Sequence, residues 1–278
     1  MNDLGKLGKV YLVGAGPGAA DLITVRGANL LAKADIVFYD ALVDPAMLEL
    51  CPQAIKEPVG KRCGKLSYAQ HFINKRLIDA AHKYQVIVRL KGGDPMMFGR
   101  ADEEIQALNE VSIAVEVVPG ITAALAGAAS IQQSLTLRGV SRSVVFITLA
   151  QGAEKIPPSQ PIANPTADTL VYYMGRKDAR KIAQQLIEYT NNHGPETPVK
   201  ILEAVSTLRE RFWGGTLAEL SSGKADDWFD SNSPALIMVG EALSNQSKLG
   251  ATISESSNSK IDNSLQDPQI LANGRRRA

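Results

Sequence analysis

The sequence predicts an α/β protein: a mostly parallel sheet with helices on both faces, followed by a second part of mixed α+β character. Three observations carry this. Short runs rich in β-branched residues, such as V-I-V-R-L at 86–90, recur along the chain and read as strands. Each early run ends at a glycine cluster or polar turn and is followed by a helical pattern, the alternation that builds parallel sheets. The stretch 151–167 then carries four prolines and no periodicity, and reads as a linker or exposed loop near a domain boundary. The expected domains are 8–150 and 168–243, with a polar, Ser/Asn-rich tail at 244–278 expected to be disordered.

In chain order, 10–13 is a buried strand running into Gly14-Ala15-Gly16-Pro17-Gly18, and 21–34 is a helix with Leu22, Val25, Leu30 and Leu31 on one face. Residues 36–39 form a second strand ending at Asp40. A helix or turn at 45–50 leads to an extended piece at 55–59 and a basic, glycine-flanked loop at 60–65. Ser67 reads as the cap of a helix to about Lys83. The strand at 86–90 breaks at Gly92-Gly93-Asp94-Pro95, where glycines allow close backbone approach to a ligand. A helix at 101–110 and a strand at 113–118 follow. Pro119-Gly120 then opens the small-residue segment I-T-A-A-L-A-G-A-A, which can pack close to another backbone. Further strands are expected at 144–148, 169–173, 199–204, 209–214 and 235–239, with a helix at 178–189.

Composition narrows the function classes. A net charge of +1 gives no global basic field for nucleic acid, and aromatic residues are scarce for base stacking. No apolar run is long enough to span a bilayer, and the first residues lack the apolar segment of a signal peptide. A cytoplasmic protein is expected, with no membrane or nucleic-acid partner. Cys51 and Cys63 have no metal-ligand spacing and read as free thiols. His71, His82 and His193 are scattered and read as surface residues, so no metal site is expected.

Two functional readings compete for the glycine loops. Gly14, Gly16 and Ala19 nearly match the dinucleotide fingerprint, and Asp40 ends the next strand where that fold binds ribose. A nicotinamide oxidoreductase is the first reading. Against it, Pro17 removes an N–H from the loop that must cradle pyrophosphate.

The second reading comes from motifs taken together: V-G-A-G-P-G-A-A-D-L-I-T-V-R-G at 13–27, Y-D-A-L-V at 39–43, G-K-R at 60–62, V-R-L-K-G-G-D-P at 88–95, V-P-G-I-T-A-A at 118–124 and Y-Y-M-G at 172–175. This ordered set resembles the tetrapyrrole methylase superfamily, in particular the branch that C-methylates uroporphyrinogen III, over residues 8–242. The resemblance implies a two-domain homodimer with S-adenosylmethionine (SAM) held in the cleft between domains. It implies two methylations, at C2 and C7, giving precorrin-2 for siroheme or cobalamin. It assigns cofactor contacts to Pro17, Gly92, Gly93, Asp94, Met97, Thr122, Ala123, Met174 and Val205. Asp40 becomes the proton acceptor and Lys61 the proton donor.

The chemistry is consistent with those residue types. The sulfonium of SAM activates the methyl group, so neither a metal nor a covalent nucleophile is required. A proton leaves the macrocycle after methyl transfer, and a carboxylate at a strand's carboxyl end suits that task; the other role for Asp40 is a cap or salt-bridge partner. Lys61 either donates a proton or holds a substrate carboxylate. Asp94 either accepts from ribose hydroxyls or sits near the sulfonium. The substrate is rich in carboxylates, for which Arg62, Arg89, Lys91, Arg100 and Arg138 are the candidate cations. The chain departs from the family pattern at Leu137, Leu149 and Ala150, so that two polar residues usual near the cleft are apolar here. These changes leave open another tetrapyrrole substrate, or a paralogue that binds SAM or tetrapyrrole without turnover.

Overall fold

A computed structural model describes residues 7–59, 66–149 and 166–244. The first sheet is built from β1 (Lys9–Gly14), β2 (Ile36–Tyr39), β3 (Ile55–Pro58), β4 (Val86–Lys91) and β5 (Val115–Val118), in the order β3-β2-β4-β1-β5. All its pairings are parallel. Its helices are α1 (Val25–Leu31), α2 (Leu66–Ala81) and α3 (Ala101–Glu110). Val10, Leu12, Phe38 and Ile87 point to the face covered by α2 and α3, where Leu77 and Leu108 are buried. Val13, Val37, Val88 and Leu90 point to the other face, against Leu31 of α1 and Met47. Burial on both faces is why these strands read as near-continuous apolar runs. β4 breaks that rule at its end, where Arg89 and Lys91 are 2% and 3% exposed.

The second sheet comprises β6 (Val144–Thr148), β7 (Thr169–Tyr173), β8 (Pro198–Glu203), β9 (Arg211–Thr216) and β10 (Ala235–Val239), in the order β6-β7-β10-β8-β9. β6 and β7 are parallel and the other pairings antiparallel. One face is covered by α5 (Ala179–Tyr189), whose Ala179, Ile182, Ala183 and Leu186 form a buried stripe at helical spacing. The other face receives α4 (Ala123–Ser130). A Cβ on Gly127 would lie 3.2 Å from both Leu202 and Met238, so the small residues of this helix let it sit close to the sheet. α4 follows the last strand of the first sheet yet covers the second, and so ties the two together. Among the described residues no helix is long and apolar enough to cross a membrane.

Several expectations are corrected. β6, read from the sequence as the end of the first domain, is an edge strand of the second sheet. The helix expected over 21–34 is a 3-10 turn at Ala20–Leu22 and then α1, capped by Thr24, whose side chain accepts from Gly27 N at 3.2 Å. Ser67 lies inside the first turn of α2 rather than before it. The strand expected from 113 pairs only from Val115. His193 is 2% exposed, with Nε2 donating to Ala167 O at 3.0 Å, and burial pushes its imidazole below the ordinary value. A short helix, α6 (Leu217–Ser221), follows β9 behind a capping box of Thr216 and Glu219. The linker at 151–165, the tail from 245, Cys63 and Ala150 lie outside the described residues.

Candidate active site

Three loops meet at the carboxyl edge of the first sheet. β1 and β4 are neighbours, and their following helices, α1 and α3, lie on opposite faces. Such a divergence opens a crevice at the strand ends. The loops after β1 and β4 join there through Gly16 N to Gly93 O at 3.1 Å and Gly93 N to Gly16 O at 2.7 Å. The loop after β5 is tied in by Asp94, whose Oδ2 accepts from Gly120 N at 2.9 Å and whose Oδ1 accepts from Met96 N at 2.8 Å. A Cβ on Gly120 would sit 2.3 Å from Gly93 O. The glycine is therefore required by backbone packing. Gly93 differs: it has φ +69, and its Cβ position meets nothing within 4 Å, so this backbone faces open space.

The second sheet supplies the opposite wall. Ala19 N donates to Ser206 Oγ at 3.0 Å, and Gly18 packs on the loop after β8, where an added Cβ would lie 2.7 Å from Val205 O. Tyr173, at the end of β7, crosses between the sheets. Its hydroxyl lies 2.6 Å from Thr122 Oγ1 and accepts from Ala124 N at 3.2 Å. Burial raises the Tyr173 hydroxyl above its usual value, against the opposing effect of the Thr122 bond. The Phe98 ring stands 5.1 Å from that of Tyr173. Met174, Ala204, Ser206, Phe98 and Arg100 all have positive φ, between 49 and 60. Left-handed backbone at non-glycine residues costs on the order of 1–3 kcal/mol each and collects at functional sites. Tyr173→Phe should lower stability by about 1–3 kcal/mol, because Thr122 and Ala124 N lose their buried partner; denaturant midpoints at unchanged m-value measure this.

Asp40 stands on the next strand over, at the end of β2, with its side chain 31% exposed. Its Oδ1 accepts from Arg89 Nη2 at 2.5 Å. Arg89 Nε bonds Glu104 Oε1 at 3.1 Å, Arg89 Nη1 bonds Leu90 O at 3.1 Å, and Lys91 Nζ bonds Glu104 Oε2 at 2.9 Å. Gln70 Nε2 adds a contact to Glu104 at 3.3 Å. Burial, and then the charge of Arg89, lowers the Lys91 ammonium below its ordinary value, with Glu104 opposing. Arg89 and Lys91, expected to face the substrate, are thus enclosed and engaged inside the protein. A carboxylate arriving from solvent would meet neither.

The other expected residues are distributed as follows. Met97 N donates to Asp94 O at 3.2 Å; Thr122 and Val205 are buried, Pro17, Gly92 and Ala123 half-buried, and Met174 54% exposed. Arg100 is exposed and paired with Glu103 at 2.6 Å. Arg138 is exposed in the turn closed by Leu137 N to Ser141 O at 3.0 Å. Lys61 and Arg62 lie outside the described residues. Leu137 is 37% exposed, whereas Leu149 packs on the core beneath α5. A cavity of about 450 Å³ lies elsewhere, along α4 and β6 around Leu125, Gln133 and Phe146, and none of the expected site residues lines it. Tyr173, Ser206 and Glu104 were not anticipated. The signal for Glu104 was available: two cations at alternate positions of an otherwise apolar strand demand a buried anion, and α3 opens with A-D-E-E.

Strand order removes the dinucleotide reading. That fold places the second strand beside the first, so that its terminal acid reaches the ribose. Here β4 lies between them. Asp40 is two strands from the first glycine loop, about 10 Å at ordinary strand spacing, and its carboxylate is held by Arg89.

Comparisons with known proteins agree with the motif reading. Residues 9–221 match the family model of the tetrapyrrole (corrin/porphyrin) methylases. Uroporphyrin-III C-methyl transferase from Thermus thermophilus, in a crystal structure complexed with S-adenyl homocysteine, is 37% identical with a TM-score of 0.72, covering 85% of this chain and 99% of that one. A cobalt precorrin-4 methyltransferase is 28% identical with a TM-score of 0.68, over 84% of this chain and 95% of that one. Among curated relatives, siroheme synthase of Pseudomonas fluorescens strain Pf0-1 is 43% identical over 245 residues, 87% of this chain and 52% of that protein. Siroheme synthase of Zymomonas mobilis is 43% identical over 250 residues, 88% of this chain and 51% of that protein. The chain thus spans about half the length of these curated relatives. Two sheets of this topology, three interlocked glycine loops and a family match across both place the chain among the tetrapyrrole methylases.

Proposed function

We propose that this chain transfers methyl groups from SAM to C2 and C7 of uroporphyrinogen III, giving precorrin-2 for siroheme or cobalamin. The observation that carries the reading is the loop convergence at the ends of β1, β4 and β5, with the Asp40 carboxylate beside it on β2. The likeness to a methyltransferase complexed with S-adenyl homocysteine supports it.

The residues present fit SAM. Gly93 offers backbone facing open space, and Met174 and Phe98 present apolar surface at the wall of the second sheet. Pro17, Gly92, Gly93, Asp94, Met97, Thr122, Ala123, Met174 and Val205 would hold it. When bound, SAM supplies a methyl group made electrophilic by its sulfonium. The carboxylate of Asp94 already holds Gly120 N and Met96 N, so besides contacting the cofactor it shapes the loops. Asp40 accepts the proton that leaves the macrocycle. Arg89 fixes its Oδ1, while Oδ2 accepts no hydrogen bond among the described residues and is the oxygen available to the substrate. Lys61 is the proton donor, and the exposed Arg100 and Arg138, with Arg62, are the cations for substrate carboxylates. A homodimer is part of the proposal.

The test is an anaerobic incubation with SAM and uroporphyrinogen III, read by mass. Two added methyl groups are expected. No methylated product, beside an active control enzyme, would overturn the reading. A different tetrapyrrole is the second reading, favoured by the exposed apolar Leu137; methylation of another macrocycle in the same assay would establish it.

A further inference from the structure

The cluster behind Asp40 carries an inference that rests on the proposed function and deepens it. Four charged groups run inward from the cleft: Asp40, Arg89, Glu104 and Lys91. Two are cations and two are anions, so the cluster is neutral as a whole. Glu104 is 0% exposed, and among the described residues it alone contacts both cations. Buried ion pairs are weak devices for stability, since apolar residues of similar volume often serve as well. Their value is directional. The planar fork of Arg89 engages all three of its nitrogens within the protein: one on Asp40, one on Glu104 and one on Leu90 O. The guanidinium cannot rotate without breaking these contacts, and Asp40 is the only member that reaches the cleft.

We propose that Glu104 is a positioning residue for the methyl-transfer reaction, acting on Asp40 through the rigid fork of Arg89. Glu104 touches neither substrate nor cofactor. It fixes the guanidinium plane and neutralises Lys91, and the guanidinium in turn fixes Asp40 Oδ1 so that Oδ2 faces the macrocycle. Its place in the first turn of α3 also puts the carboxylate at the favourable end of the helix dipole. Gln70, from α2, adds a neutral donor to Glu104 Oε1, the oxygen that Arg89 Nε also contacts. Lys91 completes the charge balance and has no access to substrate.

Two variants test this. Glu104→Gln keeps shape and removes the anion. Arg89→Lys keeps the charge but not the fork, because a single ammonium cannot bridge Asp40 and Glu104 with the same geometry. Each is expected to lower kcat by about 10- to 100-fold, the loss that follows misplacement of a catalytic group by about 1 Å. KM for SAM and affinity for S-adenosylhomocysteine (SAH) should not change. In an Asp40→Asn background, Glu104→Gln should cause no further loss, because its effect passes through Asp40. An equal loss in both backgrounds, or full turnover by Arg89→Lys with SAH binding intact, would overturn the inference. A readout independent of turnover is the Arg89 Nε–H resonance by NMR. It should be slowly exchanging in the wild type, and its protection should fall in both Glu104→Gln and Asp40→Asn. If the wild type does not methylate uroporphyrinogen III, the proposed substrate fails, and this resonance still decides whether Glu104 and Asp40 are coupled. An unprotected resonance in the wild type, or one unaffected by Asp40→Asn, would refute the coupling.

Discussion

Replacing Asp40 with asparagine is expected to slow turnover by about 10²- to 10⁴-fold, the range that a positioned general base contributes, while SAH binding stays at the wild-type level. Asparagine has nearly the same shape, and its side-chain oxygen can still accept from Arg89 Nη2, which lies 2.5 Å from Asp40 Oδ1 in the wild type. What it cannot do is take up a proton. The loops proposed to hold the cofactor follow β1, β4 and β5, whereas Asp40 ends β2, so cofactor affinity is expected to be insulated from the change. Steady-state kinetics and calorimetry on the same preparation separate the two effects. Full turnover by the variant would reduce Asp40 to an ion-pair partner of Arg89.

Gly120→Ala is expected to disrupt all three glycine loops at once. The added Cβ would lie 2.3 Å from Gly93 O and 2.8 Å from Gly14 Cα, all of it backbone that cannot rotate away. The loop after β5 must therefore move, and with it go the bond from Gly120 N to Asp94 and the paired Gly16–Gly93 bonds. Overpacking of this kind costs about 1–3 kcal/mol of stability. SAH affinity should fall by at least about tenfold, equivalent to about 1.4 kcal/mol, because all three loops share the displaced backbone. Gly194→Ala is the control. Nothing lies within 4 Å of its Cβ position and the residue is exposed, so a change within about 0.5 kcal/mol is expected, as for surface sites generally. Equal effects at the two glycines, by urea denaturation and calorimetry, would mean that the loops do not depend on this close approach.

The strands β1, β2 and β4 of the first sheet were legible because both of their faces are buried. β2 at Ile36–Tyr39 and α3 at Ala101–Glu110 stand where the apolar patterns put them. The place of β6 was not legible. Its apolar run says that it is a strand, but its parallel partner β7 lies across the proline-rich stretch, and pairing is a property of space. The first glycine loop was ambiguous for a related reason: a fingerprint and an acid at the right spacing do not reveal that β4 lies between them. Within the site, the glycines were legible as loop formers; Asp94, read as a cofactor contact, also ties the loops together, and Arg89 and Lys91, read as cations for substrate carboxylates, are buried and paired inside the protein. Charge in a sequence suggests solvent or ligand, and only the alternation of β4 shows that both side chains point inward under α3. The left-handed turns at Met174, Ala204 and Ser206 left no trace, because no glycine marks them.

The most direct measurement is a calorimetric titration of the protein with SAH, with NAD titrated in parallel. Saturable binding of SAH at one site per chain and no heat from NAD are the expected results, with SAH binding weakened in Gly120→Ala and retained in Asp40→Asn. A folded protein that binds no SAH, or that binds NAD in its place, would contradict the assignment of the three glycine loops to a methyl-donor cleft.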